Sequence, residues 1–457
     1  MPLIKSASGV RGTIGGRPGD GLTPVDVVAL TAAFGSWLLQ QSGGGTVVIG
    51  RDARPSGPMV SQAVSATLQS LGLDVVDVGL STTPTVEMAV AQQQACGGIV
   101  ITASHNPAAW NALKLLNQAG EFLSPIDADK VFDQADAGKY TFVPVDQLGQ
   151  YTQQEDAIAR HIEQILALPL VDVPAIRNRR FKIAIDAVNS TGGLAVPQLL
   201  KALGVTHITP LYCEPNGRFP HNPEPLSAHL TDLIEVVALG NHDLGLAVDP
   251  DVDRLVIIDE KGSPWGEDYT LVAVADYVLG HTPGNTVSNL SSSKALQDIT
   301  ERHGGAYSSS PVGEQHVVAQ MKASQAVIGG EGNGGVIYPE LHYGRDALVG
   351  IALLLSHLAR TGQTASAMRA GYPNYAMVKE KIQLTPATDL GALLNEVQQK
   401  YRDHPLNTED GVKISFENGW VHLRRSNTEP LIRIHAEAPT ADQATQLVQQ
   451  VRTQLSL

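Results

Sequence analysis

The sequence contains little cysteine, few basic residues and no long hydrophobic run. Two cysteines, Cys96 and Cys213, occur among 457 residues, too few and too far apart to predict a disulfide framework or a zinc site. No stretch approaches the ~18 apolar residues of a membrane span, and the N-terminal residues lack the apolar segment of a signal peptide. These absences predict a cytoplasmic location, reduced thiols and no membrane partner.

The shortage of basic residues gives the chain an acidic balance. Lys and Arg total 32 against 46 Asp and Glu, for a formal net charge of −14. A negative surface repels nucleic acid and anionic lipid, so neither is an expected partner. An anionic substrate would therefore be bound by a few focused cations and backbone amides. We expect a monomer or a homodimer.

Apolar segments that alternate between strand and helix spacing occur three times along the chain. Strand-like runs at residues 46–50, 181–186 and 286–290 are each followed by residues with helical spacing. The C-terminal region differs, because alternating segments flank Asn418-Gly419, a strong hairpin signal. This organisation predicts three α/β domains and a smaller α+β domain, with boundaries at 1–155, 156–258, 259–370 and 371–457.

The loop Thr102-Ala103-Ser104-His105-Asn106-Pro107 follows a predicted strand. Ser104 therefore lies where an open α/β sheet exposes its ligands, and Pro107 keeps Asn106 out of the helical region. A hydroxyl becomes a useful nucleophile when a base or a metal activates it. We predict that Ser104 is such a nucleophile; a simple strand-to-helix turn is the alternative.

Three aspartates alternate in the loop that follows another predicted strand. Asp249, Asp251 and Asp253 can converge on a hard cation and leave positions open for water and phosphate, which suits Mg²⁺. An EF-hand calcium loop is disfavoured, because Arg254 stands where that loop requires glycine. A solvated acidic turn is the other alternative. Arg254 would lie beside the metal, available to a phosphoryl group.

Two further loops carry residues suited to a phosphosugar. Within residues 329–335, a glycine-rich segment, Glu331 and Asn333 offer acceptors and donors for vicinal hydroxyls, and glycine allows close approach of the backbone. Residues 424–430 combine two arginines with hydroxyl and amide groups, a suitable set for a phosphate monoester. A basic hairpin end is the alternative for this last loop.

Five segments occur in the order found in a known family. They are Ser8-Gly9-Val10-Arg11-Gly12, Thr102-Ala103-Ser104-His105-Asn106-Pro107, Asp249-Pro250-Asp251-Val252-Asp253-Arg254, Glu331-Gly332-Asn333-Gly334 and Arg425-Ser426-Asn427-Thr428-Glu429-Pro430. On these segments the chain resembles the α-D-phosphohexomutase superfamily over essentially its full length. The resemblance implies an α/β fold of three related domains with mixed sheets and a smaller α+β C-terminal domain, arranged around a central cleft.

The resemblance also implies a reaction. Ser104 would be phosphorylated in the active enzyme, and Asp249, Asp251 and Asp253 would hold Mg²⁺ together with Ser104. The phosphoryl group would pass to the free hydroxyl of a hexose monophosphate, a small-molecule phosphosugar. The resulting hexose 1,6-bisphosphate, which also serves as activator, would turn in the cleft and return its other phosphate to Ser104.

Further roles follow from the same resemblance. Arg11, His105, Lys114 and Arg254 would lie near the transferring group. Lys114 would be a general acid or base with a pKa lowered by neighbouring cations; a surface lysine is the alternative. The implied substrate-binding residues are Glu331, Gly332 and Asn333 for the sugar, and Arg425, Ser426, Asn427, Thr428 and Arg433 for its distal phosphate.

Departures from the family pattern bear on catalysis and substrate. Many relatives carry a histidine where this chain has Gly334-Gly335, and His342 or Lys114 is the candidate replacement. Residues 330–346 most resemble an archaeal-type phosphoglucosamine mutase branch, so glucosamine 6-phosphate is the expected substrate. Phosphomannomutase or phosphoglucomutase activity is the alternative. Two alternatives come from other functional classes: a phosphoserine-dependent phosphatase and a non-catalytic sugar-phosphate binder. The predicted phosphate clamp at residues 425–430 favours the mutase.

Overall fold

Four separate β-sheets follow one another along the chain in the computed structural model, which describes residues 3–383, 390–425 and 431–454. The first sheet has seven strands. They are β1 (Ile4–Ser6), β2 (Gly9–Thr13), β3 (Thr46–Arg51), β4 (Asp74–Leu80), β5 (Gly97–Ile101), β6 (Trp110–Leu116) and β7 (Tyr151–Gln153). Their order is β1-β2-β6-β5-β3-β4-β7. Strand β3 is parallel to β4 and β5, whereas β6 is antiparallel to β2 and β5, so the sheet is mixed.

Helices cover both faces of the first sheet, because its central strands are apolar on both sides. They are α1 (Pro24–Ser42), α2 (Gly57–Ser70), α3 (Thr83–Gln92) and α4 (Pro125–Asp136). One core includes Phe34 of α1 and Leu68 of α2, and a second core includes Val86 and Val90 of α3. Thr82 caps α3 by accepting a hydrogen bond from the Thr85 amide.

The second sheet has four strands in the order β11-β10-β8-β9. They are β8 (Lys182–Asp186), β9 (His207–Leu211), β10 (Leu244–Val248) and β11 (Leu255–Asp259). The accompanying helices are α5 (Ala157–Ala167), α6 (Val173–Arg179), α7 (Gly192–Ala202) and α8 (Thr231–Leu239). Strands β10 and β11 are antiparallel and fully buried, so the aspartate loop between them projects from a rigid hairpin.

The third sheet also has four strands, in the order β13-β12-β14-β15. They are β12 (Asn285–Asn289), β13 (Tyr307–Ser310), β14 (Ala326–Glu331) and β15 (Gly335–Ile337). Its helices are α9 (Asp268–His281), α10 (Ala295–Arg302), α11 (Glu314–Ser324), α12 (Ala347–Thr361) and α13 (Ala365–Ala370). Helix α12 contacts α5, α6 and α7, so the second and third units share one large hydrophobic core.

The C-terminal unit is smaller and its sheet is antiparallel. Its strands, in the order β16-β20-β19-β18-β17, are β16 (Ala376–Gln383), β17 (Leu406–Asn407), β18 (Val412–Phe416), β19 (Gly419–Arg425) and β20 (Leu431–Ala438). Helices α14 (Leu390–Lys400) and α15 (Ala441–Gln454) accompany it. The predicted hairpin is the β18–β19 pair, with Phe416 opposite Gly419.

The predicted fold class is confirmed: three mixed α/β units precede a smaller α+β unit. The first sheet is mixed because β6 runs back against β5. The four sheets span residues 4–153, 182–259, 285–337 and 376–438. Among the described residues, no helix is both long enough and apolar enough to cross a membrane.

Candidate functional site

The loop after β5 brings Ser104 to the aspartate loop of the second unit. The Ser104 hydroxyl donates a hydrogen bond to Asp249 Oδ2 at 2.8 Å, and its backbone amide donates to Thr102 Oγ1 at 2.9 Å. Ser104 is 6% exposed. Two loops that the sequence analysis singled out separately therefore form one buried site, although their residues are 145 positions apart.

Asp249, Asp251 and Asp253 are fully buried, and one carboxylate oxygen of each lies within 4.8 Å of the others. The second oxygen of Asp249 accepts hydrogen bonds from the Asp253 and Arg254 amides, both at 3.2 Å. The Oδ1 atoms of Asp251 and Asp253 are buried and have no hydrogen-bond partner in the part of the chain that the structure describes. Because buried charged oxygens need compensation, this set fits a divalent cation coordinated by oxygen.

Two cations partly compensate the aspartates. Lys114 Nζ on β6 lies 2.6 Å from Asp251 Oδ2 and 3.4 Å from Asp253 Oδ2. Arg345 Nη2 lies 2.6 Å from Asp253 Oδ2. Burial raises the pKa of Asp249 well above its ordinary value, and the charges of Asp253 and Asp251 raise it further.

The expected lowering of the Lys114 pKa is wrong for this structure. Burial lowers the pKa, as would the predicted cation cluster, but the carboxylates of Asp251 and Asp253 outweigh both and raise it above its ordinary value. Lys114 is also not a surface lysine, since it is 6% exposed. A protonated Lys114 is a hydrogen-bond donor that is able to act as an acid.

Arg11, His105 and Arg254 surround the serine. Arg11 Nη1 donates to Asn106 Oδ1 at 3.3 Å, and His105 Nδ1 lies 3.3 Å from Ser104 Oγ. The Nε atom of Arg254 is buried 4.0 Å from Asp249 Oδ2 and has no hydrogen-bond partner within residues 3–383, 390–425 and 431–454. Burial, then the charge of Arg254 and that of Arg11, holds the pKa of His105 well below its ordinary range, so His105 is neutral. This side of Ser104 favours an anionic group.

The glycine-rich loop joins β14 to β15. The carboxylate of Glu331 in this segment already accepts hydrogen bonds from other residues. Glu331 Oε1 accepts hydrogen bonds from Asn289 Nδ2 at 2.8 Å and from the Gly313 amide at 3.1 Å, while Arg345 Nη1 donates to Oε2 at 2.9 Å. Asn333 Nδ2 is 3.5 Å from the same Oε2 atom. A Cβ atom at Gly332 would lie 2.3 Å from Asp268 Oδ1, which explains the glycine.

Comparison with known proteins assigns the chain to a family. The phosphoglucomutase/phosphomannomutase α/β/α domains I, II and III match residues 3–141, 159–262 and 266–375, and the C-terminal domain matches residues 378–454. The chain belongs to the phosphoglucomutase/phosphomannomutase family. The predicted resemblance to the α-D-phosphohexomutase superfamily is thereby confirmed.

Individual members of the family agree over nearly the whole chain. A phosphoglucomutase/phosphomannomutase of Thermococcus kodakarensis is 36% identical over 96% of both chains. A probable phosphoglucosamine mutase of Methanopyrus kandleri is 34% identical over 96% of this chain and 95% of that protein. The crystal structure of a phosphoglucomutase/phosphomannomutase family protein from Burkholderia thailandensis superimposes with a TM-score of 0.86 at 27% identity, covering 99% of this chain and 98% of the other.

The residues predicted to form the phosphate clamp fall within the C-terminal phosphoglucomutase/phosphomannomutase domain. Ser426, Asn427 and Thr428 lie outside the described residues. Arg425 is exposed at the end of β19, and Arg433 lies on β20 opposite Arg424.

Arg424, the first residue of the segment predicted to bind phosphate, lies near the glycine-rich loop of the third unit. It is buried, and the carboxylate of Glu331 lies near enough to influence its pKa. The basic end of β19 therefore faces the third unit.

The sequence analysis did not identify two arginines that hold the predicted site loops in place. Arg54 is completely buried and donates to the carbonyl oxygens of Ser104 and Asn106, both at 2.6 Å, and of Pro107 and Trp110, at 2.6 and 3.0 Å. The available signal was a charged segment, residues 51–54, at the carboxyl end of strand β3.

Arg345 is the second missed arginine. It joins Asp253 to Glu331 and also donates to Glu314 Oε2 at 2.8 Å. Arg345 therefore connects the aspartate loop, residues 249–254, to the glycine-rich loop, residues 329–335. In the sequence, Arg345 is a single arginine before a helix, and no local pattern predicts that it connects two loops.

Proposed function

We propose that the protein is a phosphohexomutase that interconverts hexose 6-phosphate and hexose 1-phosphate through phosphorylated Ser104 and a bisphosphorylated sugar. The observation that carries this proposal is the hydrogen bond of 2.8 Å between Ser104 Oγ and Asp249, inside a buried triad of aspartates. A serine with this partner, in a chain of this family, is suited to accept and donate a phosphoryl group.

The three aspartates are proposed to hold Mg²⁺ in this reaction, with Ser104 as a further oxygen ligand. When bound, Mg²⁺ supplies positive charge that stabilises the transferring phosphoryl group. The guanidinium groups of Arg11 and Arg254 would donate hydrogen bonds to the oxygens of the phosphoryl group. His105 is neutral and adjoins the serine without adding charge.

Two side chains are proposed to move protons, one at the Ser104 oxygen and one at the sugar oxygen. Asp249 Oδ2 already accepts the Ser104 hydrogen, so it takes that proton when the Ser104 oxygen attacks phosphorus and the phosphorus–sugar oxygen bond breaks. Lys114 is buried and protonated, and it is proposed to donate a proton to the departing sugar oxygen. In the reverse direction the same two groups exchange their roles.

The substrate is proposed to be glucosamine 6-phosphate, with hexose 1,6-bisphosphate as intermediate and activator. Glu331, Gly332 and Asn333 would bind the sugar, and Arg425, Ser426, Asn427, Thr428 and Arg433 its distal phosphate. The name of the Methanopyrus relative supports glucosamine, whereas that of the Thermococcus relative makes glucose and mannose phosphates the alternative. We place this activity in the cytoplasm, in a monomer or homodimer acting on free phosphosugars.

A coupled assay across the 6-phosphates of glucosamine, glucose and mannose, each with a trace of its bisphosphate, tests the proposal. We expect isomer formation with all three sugars and the highest kcat/KM with glucosamine. Equal or better efficiency with glucose or mannose would contradict the substrate and leave the mutase reaction standing. Release of inorganic phosphate without isomer would instead identify a phosphatase, and the absence of any turnover a sugar-phosphate binder.

A further inference from the structure

A second cluster of metal-binding side chains shares no residue with the aspartate triad. It consists of His161 on α5 together with His342 and Asp346 from the segment between β15 and α12. The Nε2 atoms of His161 and His342 lie 2.9 and 3.4 Å from Asp346 Oδ2. His161 and Asp346 are completely buried. We call these three residues the histidine cluster.

The spacing of the three atoms suits ligands around one metal ion. In a tetrahedral site with ligands at about 2.0–2.2 Å from the metal, neighbouring ligand atoms are about 3.3 Å apart. The two measured distances bracket this value, and all three atoms lie within 4.8 Å of one another. Asp346 is held in place because its other oxygen, Oδ1, caps α12 by accepting from the Leu348 and Val349 amides.

Each imidazole also has an oxygen atom close to its other nitrogen. His161 Nδ1 lies 2.9 Å from Thr85 Oγ1, and His342 Nδ1 lies 3.5 Å from Glu87 Oε2. Histidines that bind a metal usually donate their second N–H to an oxygen of this kind, which fixes the ring and its tautomer. Both rings therefore turn Nε2 toward Asp346.

Glu87 is an independent indication that a positive charge belongs here. It is 2% exposed, and neither of its carboxylate oxygens has a hydrogen-bond partner among the described residues. Burial raises the pKa of Glu87 well above its ordinary value, because a buried carboxylate without hydrogen bonds is costly. A divalent cation on the histidine cluster would favour the charged form of Glu87, whose Oε2 atom lies 3.5 Å from His342 Nδ1.

We propose that His161, His342 and Asp346 bind a divalent transition metal such as Zn²⁺, with water as the fourth ligand. Two imidazoles favour such an ion, whereas the all-carboxylate triad favours Mg²⁺. The metal would connect α5 to the start of α12, next to Arg345, which bonds to Asp253. Its role is structural: it positions Arg345 at the active site.

Cobalt binding to the full chain tests this site. The protein is stripped with a chelator, loaded with excess Mg²⁺ to occupy the aspartates, and titrated with Co²⁺ while visible absorption and metal content are recorded. We expect about one Co²⁺ per chain with the intense bands of a four-coordinate site. His161→Asn should abolish them, and Glu87→Gln should weaken Co²⁺ binding at least ~10-fold.

The matched control is His303→Asn, because His303 pairs with Asp276 at 2.8 Å beside the cation Arg302 rather than beside a second imidazole ligand. This variant should keep the full cobalt signal. If His161→Asn does not fold, His342→Asn replaces it, since His342 is partly exposed. The proposal would be overturned if wild-type protein bound no Co²⁺ in excess Mg²⁺. It would also be overturned if the cobalt absorption persisted in both His161→Asn and His342→Asn.

Discussion

Ser104 has a backbone conformation that its surroundings impose. Its φ angle is +48°, in the left-handed region that residues other than glycine rarely adopt. Thr102 and Arg54 hold this conformation through the amide and the carbonyl oxygen of Ser104. Neither contact uses the hydroxyl, so the side chain is free to face Asp249.

Replacing Ser104 by alanine should therefore remove catalysis and leave the fold intact. We expect Ser104→Ala to lose nearly all turnover, because the phosphoryl carrier is absent, with a change in Tm of a few degrees at most. Mass spectrometry of the wild-type protein should show one additional phosphoryl group on the peptide that contains Ser104. A variant that retains more than a few per cent of wild-type activity would contradict the covalent mechanism.

One buried arginine holds the loop after β5 in its conformation. Arg54 contributes both of its terminal nitrogens to four carbonyl oxygens and pairs through Nε with Asp52 at 2.9 Å. A planar fork makes these bonds together, whereas a lysine offers a single ammonium. The conformation of the loop after β5 is thus determined by a residue of the loop that follows β3.

Arg54→Lys should loosen this loop without removing a charge. We expect a loss of about 2–4 kcal/mol in the free energy of unfolding, since charge-assisted hydrogen bonds contribute about 1.5–3 kcal/mol each. The kcat should fall by about 100-fold, because a misplaced nucleophile transfers poorly, and KM should change less. Arg51→Lys is the matched control, because the hydrogen bond from Arg51 Nη1 to the Asp52 carbonyl is long, at 3.4 Å. Equal effects from both variants would contradict the role of Arg54.

At the scale of the whole molecule, the C-terminal unit packs against the third unit through polar contacts. Lys413 Nζ donates to the Leu290 carbonyl at 2.7 Å, and the Lys294 amide donates to Glu437 Oε1 at 2.9 Å. His422 lies in the same interface, with Nδ1 2.9 Å from Ser291 Oγ. These contacts hold the unit that carries the proposed phosphate clamp against the third unit.

Acid should weaken this interface through His422. Burial lowers the pKa of His422 to about 4, whereas an unfolded histidine titrates near 6.5. The unfolded chain therefore binds more protons between these values, and stability falls as the pH drops through that window. Between pH 7 and pH 5 we expect a loss of about 1–2 kcal/mol from this residue.

The measurement is denaturant unfolding at pH 7 and pH 5, for wild-type protein and for His422→Gln. The variant should lose less stability between the two pH values than the wild type does. His404→Gln is the control, because His404 is exposed. An identical pH dependence in wild type and His422→Gln would contradict the assignment.

The clamp itself is tested by Arg425→Ala. We expect KM to rise and more bisphosphate to escape per turnover, because this arginine is proposed to hold either phosphate while the sugar turns. One charge-assisted hydrogen bond of about 1.5–3 kcal/mol corresponds to a change of roughly 10- to 150-fold. Arg402→Ala, at a similarly exposed arginine, should change neither quantity; unaltered KM and unaltered leakage in Arg425→Ala would show that the clamp lies elsewhere.

The sequence alone was sufficient to predict which loops carry the chemistry. Residues 102–107 and 249–254 each follow a buried strand, and the carboxyl end of a strand is where an α/β sheet exposes reactive side chains. Their residue types, a serine and alternating aspartates, were specific enough to predict a phosphoryl carrier beside a metal. Local periodicity likewise predicted the fold class, because apolar spacing reports directly on helix and strand. The boundaries between the four domains remain predictions.

Only the tertiary structure decided which groups meet, since contacts across the chain leave no local pattern. It placed Lys114 against Asp251, 137 positions away, and this contact reversed the expected direction of the lysine pKa. It also brought Arg345 to Asp253, and His161 to Asp346 across 185 positions. The physical reason is that burial and the charge of distant neighbours set the energy of an ionisable side chain, and both exist only after the chain has folded.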